Sequence, residues 1–187
     1  IITCGGTVDV KNDIVLNGTT LGASIDLGTN NASLILGGDL TATLFNGWTK
    51  GTGTITLSGT ADQSIDFNGE TIEDLVVDKA TGTVTLAGNL VTDSLTLTSA
   101  TAFAASTYDI TISGDYSNPG SVPVTSTGTW SVTGGADLWW VASSSGNFSA
   151  AANWWWAPGG VGGARAPSSL DDVNFDANGQ GDCTIDQ

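Results

Sequence analysis

The residue types that carry most side-chain chemistry are thinly represented in this chain of 187 residues. Histidine is absent, which removes Ser-His and Cys-His nucleophile pairs and most zinc sites. Two cysteines, Cys4 and Cys183, are too few for a metal centre. They read as a structural disulfide, within the chain or between subunits, or as free thiols. An intramolecular bond needs Cα atoms within about 7 Å, and a long stack of strands would hold the two ends farther apart. Glu70, Glu73 and Asp74 are close in sequence, as the paired acids of a glycosidase would have to be in space. With so little Lys or Arg around them they read as a solvated turn. Asp171, Asp172 and Asp176, with Asn174 or Asp182, offer oxygen ligands for calcium, but neither EF-hand nor nonapeptide spacing is present, and turn capping is the competing reading.

Aromatic and hydroxyl side chains raise a second possibility, sugar. The run Trp154-Trp155-Trp156 could stack flat rings on pyranose faces, with Trp155 and Trp156 as the contacts. Adjacent residues of a strand alternate sides, however, so at least one ring points inward, and a small aromatic core is the plainer outcome. The expected packing joins Trp140, Phe148 and Trp154 with Phe175, leaving Trp155 or Trp156 exposed or against a neighbour. Asn17, Asn31 and Asn147 each open a glycosylation sequon, and Thr-rich outward faces offer sites for O-linked sugar.

Charge narrows the partners. The net charge is −15, with 17 Asp against two Glu, so the acid sits on the residue that suits turns rather than helices. Lys11, Lys50, Lys79 and Arg165 are the only cations and form no basic stripe, which argues against nucleic acid and against an anionic membrane surface. Divalent cations could offset repulsion between neighbouring copies. No apolar run is long enough to span a bilayer as a helix. Without Met, Ile1 is not a translation start, so the expectation is a processed protein or a segment of a longer one. A Thr-, Ser-, Gly- and Asn-rich, Lys-poor composition points outside the cell.

The elements that would position these residues are strands. Ser33 to Gly38, Thr54 to Gly59, Thr83 to Gly88, Asp109 to Gly114 and Thr129 to Gly134 repeat one unit of alternating apolar and hydroxyl residues closed by glycine. Period two places Ile55 and Leu57, or Val84 and Leu86, on one buried face. The closing glycines are 21, 29, 26 and 20 residues apart, the drifting period of a β-solenoid whose loops vary. Further strands are expected at Thr7 to Val10, Ile14 to Leu16, Ile25 to Leu27, Leu75 to Val77 and Ser94 to Thr98. A β-sandwich is the alternative, since Asn-Gly dipeptides also make hairpins. The expected organisation is solenoid coils over residues 1–135, a Trp- and Gly-rich module over 136–170, and over 171–187 the start of a further coil or a strand between subunits.

Trp140, Gly146-Asn147-Phe148, Asn153-Trp154, Gly162-Gly163-Ala164, Pro167, Asp171-Asp172-Val173, Phe175-Asp176 and Cys183-Thr184-Ile185-Asp186 resemble a segment met repeatedly in large β-solenoid proteins of bacterial surfaces, phage virions and environmental metagenomes. The Thr-rich coils are similar to those proteins too, so the resemblance covers most of the chain. It implies a structural, adhesive or virion-associated role without catalytic residues; the triple Trp departs from the single Trp usual there. In that class the Cys-Thr-Ile-Asp element leads into another strand, and joining Cys183 to Gln187 with Ile1 to Gly6 resembles such a continuation. The sequence therefore suggests a non-enzymatic extracellular or virion-surface protein, one repeat of an array or a subunit that polymerises head to tail through Ile1, Ile2, Cys4, Cys183 and Ile185. A carbohydrate-binding or adhesive module is the alternative.

Overall fold

The computed structural model describes residues 2–17 and 23–187. Its strands wind into a parallel β-solenoid of about six turns, each turn contributing one strand to each of three faces. On the first face Thr7–Val10, Ser33–Leu36, Thr54–Leu57, Asp74–Asp78, Leu95–Ser99 and Tyr116–Ser117 lie side by side. The second face stacks Ile14–Asn17, the beginning of Leu40–Thr49, Gln63–Ile65, Thr83–Leu86, Ala102–Ser106 and Val124–Ser126. The third is split into two sheets, Ile2–Thr3 with Ala23–Asp26 and the end of Leu40–Thr49, then Thr71–Ile72, Leu90–Thr92, Ile110–Ile112 and Trp130–Val132. All these pairings are parallel, which rules out the sandwich, whose hairpins would pair neighbouring strands antiparallel.

Register explains the drifting spacing of the glycine units. Val8 pairs with Leu34, Leu34 with Ile55, Ile55 with Leu75, Leu75 with Leu95 and Leu95 with Tyr116, so after a first turn of 26 residues the period settles at 20 or 21. Two of the five units lie on the first face, one on the second and two on the third. Spacings of 21 and 20 are therefore true turns, whereas 29 and 26 add a step from one face to the next.

Inward columns run along the stack. Leu36, Leu57, Val77 and Leu97 form one on the first face, Leu40, Ile65 and Leu86 another on the second, and all are buried. Each such side chain contributes about 1.5–3 kcal/mol by leaving water. Successive coils approach closely at the corners; a Cβ on Gly128 would overlap the carbonyl oxygen of Tyr108. There the aspartates find their use. Asp39 Oδ1 accepts the N–H of Ser64 at 2.8 Å, Asp62 Oδ1 that of Thr83 at 2.7 Å, Asp109 Oδ1 that of Thr129 at 2.8 Å, and Asp115 Oδ1 that of Gly135 at 2.8 Å. A short carboxylate reaches the coil above and satisfies a donor that the turning backbone cannot.

Few polar groups enter the core. Lys79 is fully buried, its Nζ donating to Gln63 Oε1 at 2.7 Å and to Ser58 O at 3.1 Å, while Gln63 Nε2 donates to the carbonyls of Leu36 and Gly38. Burial pushes the Lys79 ammonium below its usual range, partly offset by Asp62 and Asp39. Glu73, also buried, accepts from Trp48 Nε1 at 2.8 Å and Gly51 N at 2.6 Å, so the acidic trio read as a solvated turn contains a carboxylate tied into the core.

Candidate functional site

The first face continues past the regular coils. Tyr116 bridges to Ala136, Asp137–Trp140 follows, and Asp172–Asn174 lies parallel on it with Val173 against Leu138. Beyond the corner, Cys183–Thr184 lies parallel on Gly146–Asn147. Between these two layers the chain turns back, and Trp154–Trp155 runs antiparallel to Trp139 and Trp140.

That reversal gives the three tryptophans different tasks. Trp154 packs edge-on against Trp140 at 5.2 Å, Phe148 at 5.1 Å and Phe175 at 5.7 Å between ring centroids, the aromatic core expected from the sequence. Trp155 sends its Nε1 to the carbonyl of Val124 at 3.3 Å, on the last regular coil. A Cβ on Gly160 would overlap the Trp155 ring, so glycine is required there. Trp156 stacks on Trp130 at 5.1 Å with 16° between ring planes. Its carbonyl accepts from Tyr116 Oη at 2.6 Å and from Asn118 Nδ2 at 3.4 Å. Trp155 and Trp156 are 7% and 2% exposed, which corrects the expectation that one of them faces solvent or a neighbour. Little of either ring is left to stack on a sugar, because Trp155 packs on the last regular coil and Trp156 stacks on Trp130.

Arg165 fixes the module in place. Its guanidinium donates to the carbonyls of Val132 at 3.1 Å and Gly134 at 3.0 Å and pairs with Asp171. Asp171 also accepts the N–H groups of Ala136 and Ser168. Its carboxylate is therefore committed, Asp172 neighbours it on a strand whose side chains alternate, and Asp176 closes a turn by accepting from Asn178 N and Nδ2. Among the described residues no group of three His, Cys, Asp or Glu side chains gathers as a metal site, and Asp171 and Asp176 make the turn contacts of the competing reading.

The cysteines stand at opposite ends. Cys4 hydrogen-bonds through its backbone to Asp26 and Asn30 in the first turn, and Cys183 lies in the last layer. At about 4.8 Å per layer they are tens of ångströms apart, and both are free thiols, so an intramolecular disulfide is excluded. Burial raises both thiol pKa values, Asp26 adding to it at Cys4 and Asp186 at Cys183, which disfavours the reactive thiolate. Asn31 is exposed in a turn with φ of 49°, its Oδ1 accepting from Thr52 N at 3.3 Å, and Asn147 is exposed beside Ser149 and Asp186. Ile1 lies outside the described residues, as do the Asn17 side chain and the rest of its sequon.

What remains open is the pair of edges. Among the described residues, Thr7–Val10 and Ile14–Asn17 at one end each have a partner on one side only. Ile2, Cys4, Val8, Val10 and Ile14 surround a wholly apolar cleft there with Ile25, Leu27 and Leu34, and Ile2 is 57% exposed. At the other end Asp172–Asn174 and Cys183–Thr184 are likewise paired on one side, with Phe175 56% and Ile185 68% exposed. Sequence reasoning named Ile2 and Ile185 but missed Val8, Val10, Val173 and Phe175, whose exposure follows from their position in the first and last layers. No helix among the described residues is long and apolar enough to cross a membrane. Compared with known proteins, the chain matches no family model, no curated protein and no solved structure.

Proposed function

We propose that this chain is a structural unit of an extracellular fibre or virion appendage, in which copies stack head to tail through their strand edges. One observation carries the reading: the first face runs the length of the molecule and ends, above and below, in a strand whose outer edge has no partner among the described residues and is flanked by exposed apolar side chains. Such edges template further strands, and a contact between unlike ends propagates into an open filament unless its rotation closes a ring. In this arrangement Cys4 precedes Thr7–Val10 of one copy and Cys183 follows Asp172–Asn174 of the other. The two thiols fall at opposite ends of the shared face, and the contact is noncovalent.

The test blocks one edge at a time. Ile2→Asp and Ile185→Asp each place a charge on an already exposed position. Each variant alone is expected to remain monomeric by sedimentation velocity, and a mixture of the two is expected to form dimers and nothing larger, since one live edge of each kind survives. Wild type is expected to form filaments in negative stain with or without reductant. Wild type that stays monomeric at every concentration tried, or variants that polymerise unhindered, would sink the reading.

A further inference from the structure

If the partner of each edge is a second copy, which rests on the reading above, the side chains at the two edges also decide its register. Strand alternation permits only shifts of two residues between Thr7–Val10 of one copy and Asp172–Asn174 of the next, because Val8 and Val10 must stay on the inward side with Val173. If Val10 covers Val173, Asp9 falls on Asp172, Val8 on the engaged carboxylate of Asp171, and Asn12 on Phe175. Like charges then face each other across the ladder, which is unfavourable, and the largest exposed ring stays unmatched. Val10 onto Asp171, two residues further the same way, leaves both Val173 and Phe175 uncovered, and the opposite shift, Val8 onto Phe175, stacks Asp9 on Asp176 and leaves Val173 under Gly6.

In the remaining register Val8 covers Val173 and Val10 covers Phe175, the two inward apolar residues that the last layer leaves 37% and 56% exposed. Asp9 then faces Asn174, and Lys11 comes over Asp176. Lys11 is one of four cations in the chain; its side chain is 75% exposed and pairs with Asp9 at 2.6 Å. Asp176 is exposed and, among the described residues, accepts from Asn178. We propose that copies of this chain join in this single register, selected by Val8 on Val173, Val10 on Phe175 and the Lys11–Asp176 pair, with the register that stacks Asp9 on Asp172 rejected by charge.

Cross-linking reads the register directly, because facing residues of a parallel pair have Cα atoms about 4.8 Å apart, within disulfide range. In a Cys4→Ser, Cys183→Ser background, Asp9→Cys combined with Asn174→Cys is expected to give a ladder of covalent multimers on a non-reducing gel after mild oxidation. Asp9→Cys combined with Asp172→Cys is expected to give none. Lys11→Glu is expected to weaken assembly at least severalfold, and Asp176→Lys in the same chain to restore it. A ladder from the Asp172 pair, or filaments in which neither pair cross-links, overturns the register and leaves head-to-tail stacking intact. Absence of any assembled species in wild type as well as in the variants overturns the stacking itself.

Discussion

Tyr116 shows how a single buried group couples the coils to the aromatic module. Its hydroxyl donates to the Trp156 carbonyl, and its ring meets Trp130 and Trp156 edge-on at 5.4 and 5.8 Å. Burial raises its pKa well above the usual value; Asn118 opposes the shift and Asp137 adds to it. The folded protein therefore holds this proton where the unfolded chain releases it, so the phenol's contribution is complete below about pH 10 and is lost as pH rises beyond that. Tyr116→Phe is expected to cost about 1 kcal/mol at neutral pH, and the difference from wild type in urea unfolding is expected to shrink above about pH 10. Lys79 acts in the opposite sense, its ammonium losing its proton earlier in the folded state, but it is common to both proteins and cancels in the comparison. A difference that stays constant or grows with pH would contradict this account. Neither role was visible in the sequence. Tyr116 sits in an ordinary Asp-Tyr-Ser stretch and Lys79 directly after the strand Asp74–Asp78, and only the winding brings Trp156 or Gln63 to them.

At the level of strands and corners, alternation alone announced which side chains face inward, because a buried face on a period-two element leaves little freedom. Ile55, Leu57, Val84, Leu86, Ile110 and Ile112 are all fully or almost fully buried. The faces they belong to were not legible. The same Thr-Ile-Thr-Leu pattern serves three different sides of the turn, and nothing in a strand says which corner precedes it. Corners carry their own signal, the aspartates, which composition assigned to turns without showing that each reaches the coil above. Their geometry predicts a distinction between removing charge and removing the acceptor. Asn89 already does at one corner what aspartate does elsewhere, accepting the N–H of Asp109 at 3.0 Å. Asp109→Asn is therefore expected to be nearly neutral in thermal unfolding, whereas Asp109→Ala is expected to cost about 1 kcal/mol by leaving the N–H of Thr129 without its acceptor. Equal losses for both would mean that the charge, not the hydrogen bond, matters there. The Trp run was half legible: alternation correctly separated Trp154 from Trp155, but solvent seemed the other side because the antiparallel return across the end of the stack has no sequence mark.

For the molecule as a whole, Ile2 and Ile185 were legible at the edges because the joined ends resemble one continuous strand, whereas Val8, Val10, Val173 and Phe175 were not, because only the winding places them in the first and last layers. The regular turn has a mechanical consequence. Hydrogen bonds between coils point along the axis, so a load drawing the two ends apart bears on one layer at a time instead of shearing many strands together. Each layer that peels away frees one turn, 20 residues between Leu75 and Leu95, or about 70 Å of extended chain. Held in an optical trap by its ends, the solenoid is expected to yield in a staircase of nearly equal steps at low force, with a longer step where the 35 residues between Asp137 and Asp172 come free. One abrupt rupture of the whole stack would show that the layers fail together. If copies stack as proposed, the resulting fibre would lengthen by surrendering turns in sequence, absorbing a sudden pull over hundreds of ångströms before any covalent bond is strained.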